Sequence, residues 1–481
     1  MNAPSSREIA ASPTSIISSI AKVASSVRFE DLPAAVIDES KRLVLDSIGC
    51  ALAGATSDKG KAALAFSRQF GGLPEATIIG FGDKVSTLGA AFANAELINA
   101  LDWDAVLVPG HVTPFALPAY LATGERRGAT GKSLILANAL AHEISHRLGK
   151  ALRNQRQITD GTIQFPPVMG YSCSVIGGAL GVAKVGNFPD ELAAHSMAIA
   201  AHIAPGQVMT AWVKHAPSST AKYLLAGWAA QASLTAPLLA ELGHRGDLQL
   251  LDDEFGFWKY MGSDKWEPRL VTEDFGTHWH FQPEQIYKYY PHCRILHACI
   301  DGLIHIVESH NILPHEIESI HALFENHCLE PVWSNRTVDT QVDAQFSMAH
   351  GLSVAAHRIC PGPEWQDYET ILNPSVQALM SRITIGPHPD YVRALQEDHR
   401  SRLSRVEVKA RGQTFIEERR YPKGSPSPQP DTVMTTDEMA DKFRVGAQRI
   451  LARHKIEPAI DAILELENVK NIADLMDLVR I

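Results

Sequence analysis

A chain of 481 residues is too long for one ordinary hydrophobic core, so its length predicts two or three domains. Its composition, with 45% hydrophobic and 20% charged residues, is that of a globular protein. The formal net charge of −10 leaves no basic excess to neutralise phosphates, which argues against nucleic acid as a partner. A small anionic substrate is not excluded, because a few local lysines and arginines would suffice to bind it.

The chain lacks several signatures of location and metal binding. Its six cysteines include no Cys-x-x-Cys pair, which excludes a zinc ribbon or thioredoxin-like motif and argues against a disulfide framework. Residues 1–15 lack the basic region and apolar run of a signal peptide, and no apolar stretch reaches the roughly 18 residues of a membrane span. We therefore expect a cytoplasmic protein without a membrane partner.

Up to about residue 270, the spacing of apolar residues predicts helices almost throughout. Residues 168–186 are rich in Gly, Ala and Ser and apolar nearly all round, which predicts a central, buried helix. Its three glycines, within residues 174–181, do not match a phosphate-binding loop and are interpreted as helix-packing contacts. The predicted helices cover 14–26, 34–54, 59–70, 87–101, 115–150 (two helices broken at 124–133), 168–186, 189–204 and 219–243.

From residue 275 the pattern becomes mixed. Residues 317–325 and 383–387 read as strands, and residues 403–422 as a hairpin that turns at Arg411-Gly412. A linker rich in Pro, Ser and Gly follows at 421–431, and then helices at 436–452 and 457–480. We predict a mainly α fold, in which a large discontinuous all-helical domain (1–274 plus 416–481) carries a smaller inserted α+β domain (275–415).

Residues 94–118 place acid–base groups at the end of an apolar helix. Asp102 and Asp104 flank Trp103, and Pro109-Gly110 breaks the chain just before His111. Acid–base chemistry needs such groups on a rigid element, although a helix terminus with solvated aspartates is the alternative interpretation. Pro114 and Pro118 predict that regular structure resumes only after a long bend.

Two lysines are candidates for binding carboxylates. Lys222, near the start of the predicted helix 219–243, could hold an anion together with free helix N–H groups, or could be an ordinary surface lysine. Lys288 lies among tyrosines in Lys288-Tyr-Tyr-Pro-His-Cys-Arg294, where a carboxylate clamp and a rim of exposed groups are both open interpretations.

Residues 142–146 read His-Glu-Ile-Ser-His, a literal zinc-protease pattern on a predicted helix. Histidines four residues apart share a helix face and could bind zinc, with Glu143 as a general base. The position expected for a third histidine is Leu152, so a zinc hydrolase using His142 and His146 is kept only as a remote alternative. His195, His202, His305 and His310 are interpreted as ordinary helix residues.

Taken together, these segments resemble the MmgE/PrpD family nearly end to end. The resemblance rests on the following segments in order: LVLDSIGCALAGA (43–55), NAELINALDWD followed by GHVTP, AHEISHRLG, Lys222 with Gly227 and Gly243, KYYPHC (288–293), and YPKGS (421–425) with Lys442-Phe443.

The resemblance implies a cofactor-independent enzyme with no metal, typically homodimeric, whose small α+β domain acts as a lid over a cleft. The implied chemistry is proton transfer beside a carboxylate of a di- or tricarboxylate, by a dehydratase or decarboxylase or, alternatively, an isomerase or epimerase. Carried over by position, the catalytic residues would be Asp102, His111 and Lys288. The substrate-binding residues would be Lys222, Tyr289, Arg294, His350 and Asp104.

The chain also departs from the resemblance. Where many family members continue Asp-Asp-Thr, this chain has Asp104-Ala105-Val106, and where they carry a histidine before Pro-Pro it has Phe165. Two polar site positions are thus apolar, which predicts a different, less polar substrate or a different proton-transfer step.

Overall fold

Helices form most of the chain up to residue 272, as the apolar spacing predicts. The computed structural model describes residues 14–152, 157–165, 169–252, 255–263 and 265–481. The helices of this part are α1 (Ile16–Ser26), α2 (Ala34–Gly54), α3 (Asp58–Ser67), α4 (Thr87–Ile98), α5 (Val112–Arg127), α6 (Gly131–Ala151), α7 (Cys173–Val185), α8 (Asp190–Ile203), α9 (Met209–Trp212), α10 (Ala226–Glu241), α11 (Phe257–Tyr260) and α12 (Arg269–Thr272). Two short hairpins accompany them, β1 (Ala76–Thr77) with β2 (Lys84–Val85), and β3 (Gln157–Thr159) with β4 (Thr162–Gln164).

The centre of this helical part is α7, which packs against α5, α6, α8 and α10. Its glycines face neighbouring helices at close range: Gly177 lies against Ser145 and Gly178 against Ser233. A Cβ at either position would collide with these neighbours, so the small residues permit the close approach of the helices. The prediction of a buried, closely packed helix is therefore confirmed, although it begins at Cys173 rather than at residue 168.

Three predicted helix boundaries are wrong. The helix containing Pro114 and Pro118 starts at Val112, directly after His111, because a proline in the first turn has no helical hydrogen bond to lose and Pro118 is tolerated inside the helix. Residues 219–225 are not helical, since α10 begins at Ala226. At the C-terminal end, residues 465–471 interrupt the predicted helix 457–480.

After residue 290, short helices surround a four-stranded sheet. The strands are β5 (Ile317–Phe324), β6 (Ile383–Pro387), β7 (Ser404–Ala410) and β8 (Gln413–Arg419), in the order β6-β5-β7-β8. The helices are α13 (His297–Ser309), α14 (Pro331–Ser334), α15 (Gln341–Phe346), α16 (Met348–Ala356), α17 (Tyr368–Ile371), α18 (Pro374–Met380) and α19 (Tyr391–Glu397).

The sheet confirms the predicted strands and hairpin. Strands β5 and β6 are parallel, whereas β7 pairs antiparallel with both β5 and β8. The β7–β8 turn is formed by Arg411 and Gly412, both with positive φ, as two-residue hairpins require. Alternate residues of β7 are buried, and α13 packs on the sheet.

The last helices, α20 (Thr436–Ala447), α21 (Arg453–Leu464) and α22 (Ile472–Leu478), return to the first part of the chain. Helix α20 packs on α2, where Gly446 approaches the backbone of Gly49, and α22 contacts α5. The predicted fold class, mainly α with a smaller sheet-containing part, is confirmed. The domain boundaries at 274/275 and 415/416 stay a prediction. None of the described helices combines the length and apolar character needed to cross a bilayer.

Candidate active site

The segment between α4 and α5 carries the acid–base groups. Helix α4 ends at Ile98, and the following turn places Asp102 in the left-handed region (φ 53°), which redirects the chain inward. Val106 then pairs with Ile286 through two backbone hydrogen bonds. This bridge brings the Asp102 segment beside Lys288, although the two are 186 residues apart in sequence.

Asp102 is buried between two lysine ammonium groups. Lys288 Nζ donates to Asp102 Oδ2 at 2.6 Å and to the Asp102 carbonyl at 2.8 Å. Lys222 Nζ lies 3.4 Å from Asp102 Oδ1 and donates to the Asn99 carbonyl at 2.9 Å. Three charged side chains that are each at most 3% exposed form this cluster, so their charges interact with little solvent screening.

Burial and the charges of these three groups shift the pKa values of Asp102 and Lys222. Burial alone would raise the pKa of Asp102, but Lys288 and Lys222 more than offset it and hold that pKa below its usual range. Burial lowers the pKa of Lys222 to about 8, with the Asp102 charge opposing the shift. Asp102 is therefore a permanent carboxylate at neutral pH, whereas Lys222 changes charge in the mildly alkaline range.

Asp104 orients His111. Asp104 Oδ2 lies 2.7 Å from His111 Nδ1, and Asn99 Nδ2 donates to Asp104 Oδ1 at 3.1 Å. Burial opposes ionisation of Asp104, but His111 outweighs it and lowers the pKa of this carboxyl. A carboxylate on Nδ1 fixes the proton there and leaves Nε2, which lies 3.9 Å from Asp102 Oδ1, to accept a proton.

A second buried ion pair supports the first. Lys442 Nζ, from α20, donates to Asp46 Oδ1 at 2.6 Å and to the carbonyls of Trp103 and Lys288 at 2.7 and 2.9 Å. The other Asp46 oxygen accepts the Ala105 N–H at 3.1 Å. Burial opposes the charge on Lys442, but Asp46 outweighs it and raises the pKa of this lysine. This pair ties together the backbones that carry Asp102 and Lys288.

In the sequence analysis, Asp46 and Lys442 appear only as members of segments that resemble the family, with no role assigned to them. The signal that could have found them is their position within two of the six resembling segments, 43–55 and 442–443. Their role depends on contacts between residues 396 positions apart, which no local pattern encodes.

A cleft of about 400 Å³ opens beside these groups. Among the predicted site residues, Asp102, His111, Lys288 and Arg294 line it, and Arg294 donates to Ser425 Oγ at 3.1 Å. Lys222 and Asp104 lie behind the lining, against Asp102 and His111. The structure does bring Lys222 to the site, but from a turn at φ 52° rather than from a helix start, so the predicted helix N-terminal anion site is wrong.

Tyr289 and His350 do not line the cleft. The Tyr289 ring stacks edge-on against Tyr290. His350, within α16, lies with Nε2 3.0 Å from the Trp365 carbonyl, and burial lowers its pKa to about 4. The geometry gives these two predicted substrate contacts no support. The cleft lining also includes Cys293, which the sequence named only within the KYYPHC segment, and Tyr223 and Arg400, which it did not name.

The three departures from the family pattern have defined positions. Ala105 donates its N–H to Asp46, and its side chain is buried. Val106 and Phe165 both line the cleft. Phe165 stacks on His327 with ring centroids 3.9 Å apart. Two positions that are polar in the resembling family, 106 and 165, thus form apolar surfaces of the cleft in this chain.

The side chains of His142 and Glu143 in the His142–His146 motif form hydrogen bonds within the protein. His142 lies with Nδ1 2.9 Å from the Asn138 carbonyl and Nε2 3.2 Å from Thr113 Oγ1, and burial lowers its pKa to about 4. Glu143 binds Arg147 Nε and accepts the N–H groups of His280 and Phe281. A glutamate with both oxygens so engaged is a poor general base, so the geometry does not support the zinc-hydrolase alternative.

In the described part of the chain, one group brings three potential metal ligands within 4.8 Å of one another, namely Asp102, Asp104 and His111. The ammonium groups of Lys222 and Lys288 already lie against Asp102. A divalent cation at this position would meet two positive charges, which disfavours metal binding here.

Comparison with known proteins places this site in context. Residues 18–269 match the MmgE/PrpD N-terminal domain, and residues 290–468 match the MmgE/PrpD C-terminal domain. The chain is 23% identical to a cis-aconitate decarboxylase of Aspergillus terreus, over 96% of this chain and 95% of that protein. It is 24% identical to the cis-aconitate decarboxylase of Homo sapiens, over 97% of this chain and 95% of the human protein.

Proposed function

Because the chain belongs to the MmgE/PrpD family and is a lyase of that family's type, we propose that it acts on a small di- or tricarboxylate by proton transfer next to a carboxylate. We further propose that its own side chains supply the acid, the base and the cations, without a metal or an organic cofactor. The observation that carries this proposal is the buried Asp104–His111 pair beside an Asp102 held by two ammonium groups, all at the end of one cleft.

His111 is the proposed base. Asp104 holds Nδ1, so Nε2 can accept the proton from a carbon next to a substrate carboxylate. In a dehydration the electron pair of the broken C–H bond forms a C=C bond while the C–O bond of the neighbouring hydroxyl breaks. Protonated His111 gives its proton to that hydroxyl, which leaves as water. In a decarboxylation His111 begins protonated: the C–C bond breaks, carbon dioxide leaves, and His111 donates its proton to the carbanion and regains one from water before the next turnover.

Lys288 is the proposed binding group for the carboxylate next to the reacting carbon. An ammonium has three N–H donors, and within the described part of the chain two of them go to Asp102. A substrate carboxylate bonded to the third would be partly neutralised as charge develops on the adjacent carbon. Asp102 keeps Lys288 and Lys222 in place, and Lys222 adds positive charge behind it.

The alternative is an isomerase or epimerase on the same scaffold. Epimerisation needs the same proton removal, followed by return of a proton to the opposite face with no leaving group. This alternative is supported by Val106 and Phe165, which line the cleft where the family has polar residues. Without those polar residues, the cleft has fewer groups that could assist a leaving group. The homodimer and the cytoplasmic location also stay predictions.

Incubation in deuterated water with a panel of di- and tricarboxylic acids that includes cis-aconitate tests the reaction. A lyase gives a product lighter by water or carbon dioxide, detected by mass spectrometry, and His111→Gln abolishes its formation. Deuterium exchange at carbon without a net product would instead establish the epimerase. The matched control is His305→Gln, an exposed histidine on α13, which should leave turnover unchanged. Wild-type turnover in His111→Gln would contradict the proposal.

A further inference from the structure

The cleft has a charged end and an extensive apolar wall. The charged end is formed by Asp102, His111 and Lys288. The apolar side chains that line the remainder include Val106, Phe165, Met209, Ile295, Trp333 and Phe346. These side chains offer no hydrogen bond to a carboxylate, so they favour a hydrocarbon group in this part of the cleft.

The wall is continuous with the charged end. The Phe346 ring centroid lies 5.6 Å from Lys222 Nζ and 4.7 Å from the Trp212 ring, edge-on. Phe165 is fixed by stacking on His327 and lies 5.8 Å from Trp333. A hydrocarbon group on a substrate held at Lys288 would therefore meet aromatic surfaces already supported by their neighbours.

The charged side chains at this end of the cleft face one another. Lys222 and Lys288 lie against Asp102, and a second carboxylate, Asp104, lies against His111. Arg400, further along the lining, is already bidentate to Asp398 at 2.9 and 3.0 Å. Glu284, also in the lining, pairs with Lys150 at 2.8 Å. Neither of these pairs contributes a net charge.

We infer that the substrate bears an alkyl or aryl substituent, with the carboxylate next to the reacting carbon at Lys288 and the substituent against the apolar wall formed by Phe165, Trp333 and Phe346. This inference rests on the proposed function and narrows it to a substrate class. Even one methylene group in an apolar pocket changes affinity roughly 10- to 200-fold, so an aryl group should have a large effect.

Binding of three probes to the full chain tests the inference by calorimetry, independently of turnover. Benzylsuccinate should bind at least about tenfold more tightly than succinate, and more tightly than tricarballylate. Phe165→His, which replaces an apolar lining residue with a polar one, should reduce that preference, whereas the exposed substitution Phe255→His should not.

Equal or tighter binding of succinate or tricarballylate, or no measurable binding of benzylsuccinate, would overturn the substrate class. These outcomes leave the proposed reaction standing, because that reaction is decided by the loss of turnover in His111→Gln. Thermal unfolding of Phe165→His confirms that the variant is folded before binding is compared.

A different observation concerns Tyr223, the residue after Lys222. Its side chain lines the cleft and is 4% exposed, and its ring centroid lies 6.0 Å from that of His111. In the described part of the chain its hydroxyl has no hydrogen-bond partner, although buried hydroxyls normally have one. The hydroxyl is therefore a donor that a substrate bound beside the proposed base can use.

We propose that the Tyr223 hydroxyl donates a hydrogen bond to a substrate oxygen next to the carbon that exchanges its proton with His111. This role also rests on the proposed function. Burial, together with the charge on Asp102, raises the pKa of Tyr223 well above its ordinary value, so the hydroxyl keeps its proton at all physiological pH values. The donor would compensate for the polar groups missing at Val106 and Phe165.

Tyr223→Phe removes one oxygen and tests this role. Turnover should fall roughly 10- to 100-fold, while the melting temperature should stay the same or rise, because no protein partner is lost. Tyr120→Phe is the matched control: that buried hydroxyl donates to Asn138 at 2.6 Å away from the cleft, so its loss should lower stability and spare turnover.

Wild-type turnover in Tyr223→Phe would overturn the assignment, as would a loss of stability equal to that of Tyr120→Phe. Failure of the proposed function is distinguishable, because it would leave turnover unaffected in His111→Gln as well.

Discussion

Two buried clusters in this chain combine histidines with carboxylates, and both look catalytic in the sequence. One is the cleft cluster of Asp102, Asp104 and His111, and the other is the α6 cluster of His142 and Glu143 with their neighbours. In the α6 cluster each carboxylate oxygen is bound by Arg147 or by backbone N–H groups. In the cleft cluster the charges are paired but open onto a cavity.

The difference shows that access, and not residue type, separates a reactive cluster from a structural one. Both clusters satisfy the requirement that buried charges be paired. The α6 cluster uses its bonds to fix the segment that follows α12, whereas His111 and Lys288 of the cleft cluster line the cavity. Substitutions in the two clusters should therefore separate loss of activity from loss of stability.

Among the substitutions that compare the two clusters, the largest effect is expected for Asp102→Asn. Removing this charge leaves Lys222 and Lys288 as two unpaired, adjacent ammonium groups, so the proton-transfer geometry is lost. Turnover should fall about 10²- to 10⁴-fold, measured with the acid that supports activity in the deuterium assay. Retention of more than a tenth of wild-type activity would mean that the cleft cluster is structural, like the α6 cluster.

Glu143→Gln should have the opposite profile. Arg147 loses its buried partner but keeps Asp274 and backbone carbonyls, so the free energy of unfolding should fall by about 3 kcal/mol. Turnover per folded molecule should stay near the wild-type value. Urea denaturation followed by circular dichroism measures the first quantity. A stable but inactive variant would reverse the comparison and restore a catalytic role for Glu143.

The activity should depend on pH through the protonation of Lys222. Burial lowers the pKa of this lysine to about 8, so kcat/KM for an anionic substrate should fall as pH rises through about 8. In Lys222→Arg the guanidinium stays protonated, and that alkaline decline should disappear. An unchanged decline in Lys222→Arg would assign it to another group.

The fall in kcat/KM cannot come from unfolding of the protein caused by deprotonation of Lys222. The unfolded chain regains the ordinary pKa of 10.5, so between about pH 8 and 10.5 it binds more protons at this residue than the folded chain does. The contribution of Lys222 to stability therefore rises with pH in this window. A melting temperature measured across the same pH range provides the control.

The smallest effect is expected for His142→Gln. The neutral histidine loses two modest hydrogen bonds, so the free energy of unfolding should fall by about 1–2 kcal/mol. Turnover and metal content of the purified protein should not change. Bound zinc that disappears together with activity in this variant would establish the zinc-hydrolase alternative after all.

Much of the fold could be read from the sequence because its signals are local. Apolar spacing predicted nearly all of the helices, and the Arg411-Gly412 turn predicted the β7–β8 hairpin. The helix boundaries at Val112 and Ala226 were missed because prolines are tolerated in a first turn and because a residue such as Lys222 can leave the helical conformation when its side chain gains buried partners.

For the candidate site, the sequence by itself determined which residues take part. These are Asp102, His111, Lys222 and Lys288, in the order that identifies the family. Only the tertiary structure decided their arrangement, including the Asp46–Lys442 pair that holds two backbones together and the exclusion of Tyr289 and His350 from the cleft lining. The reason is physical: periodicity and turn chemistry act over a few residues, whereas a buried ion pair exists only where distant segments pack. Whether a charged group is sealed or faces a cavity depends on that packing alone.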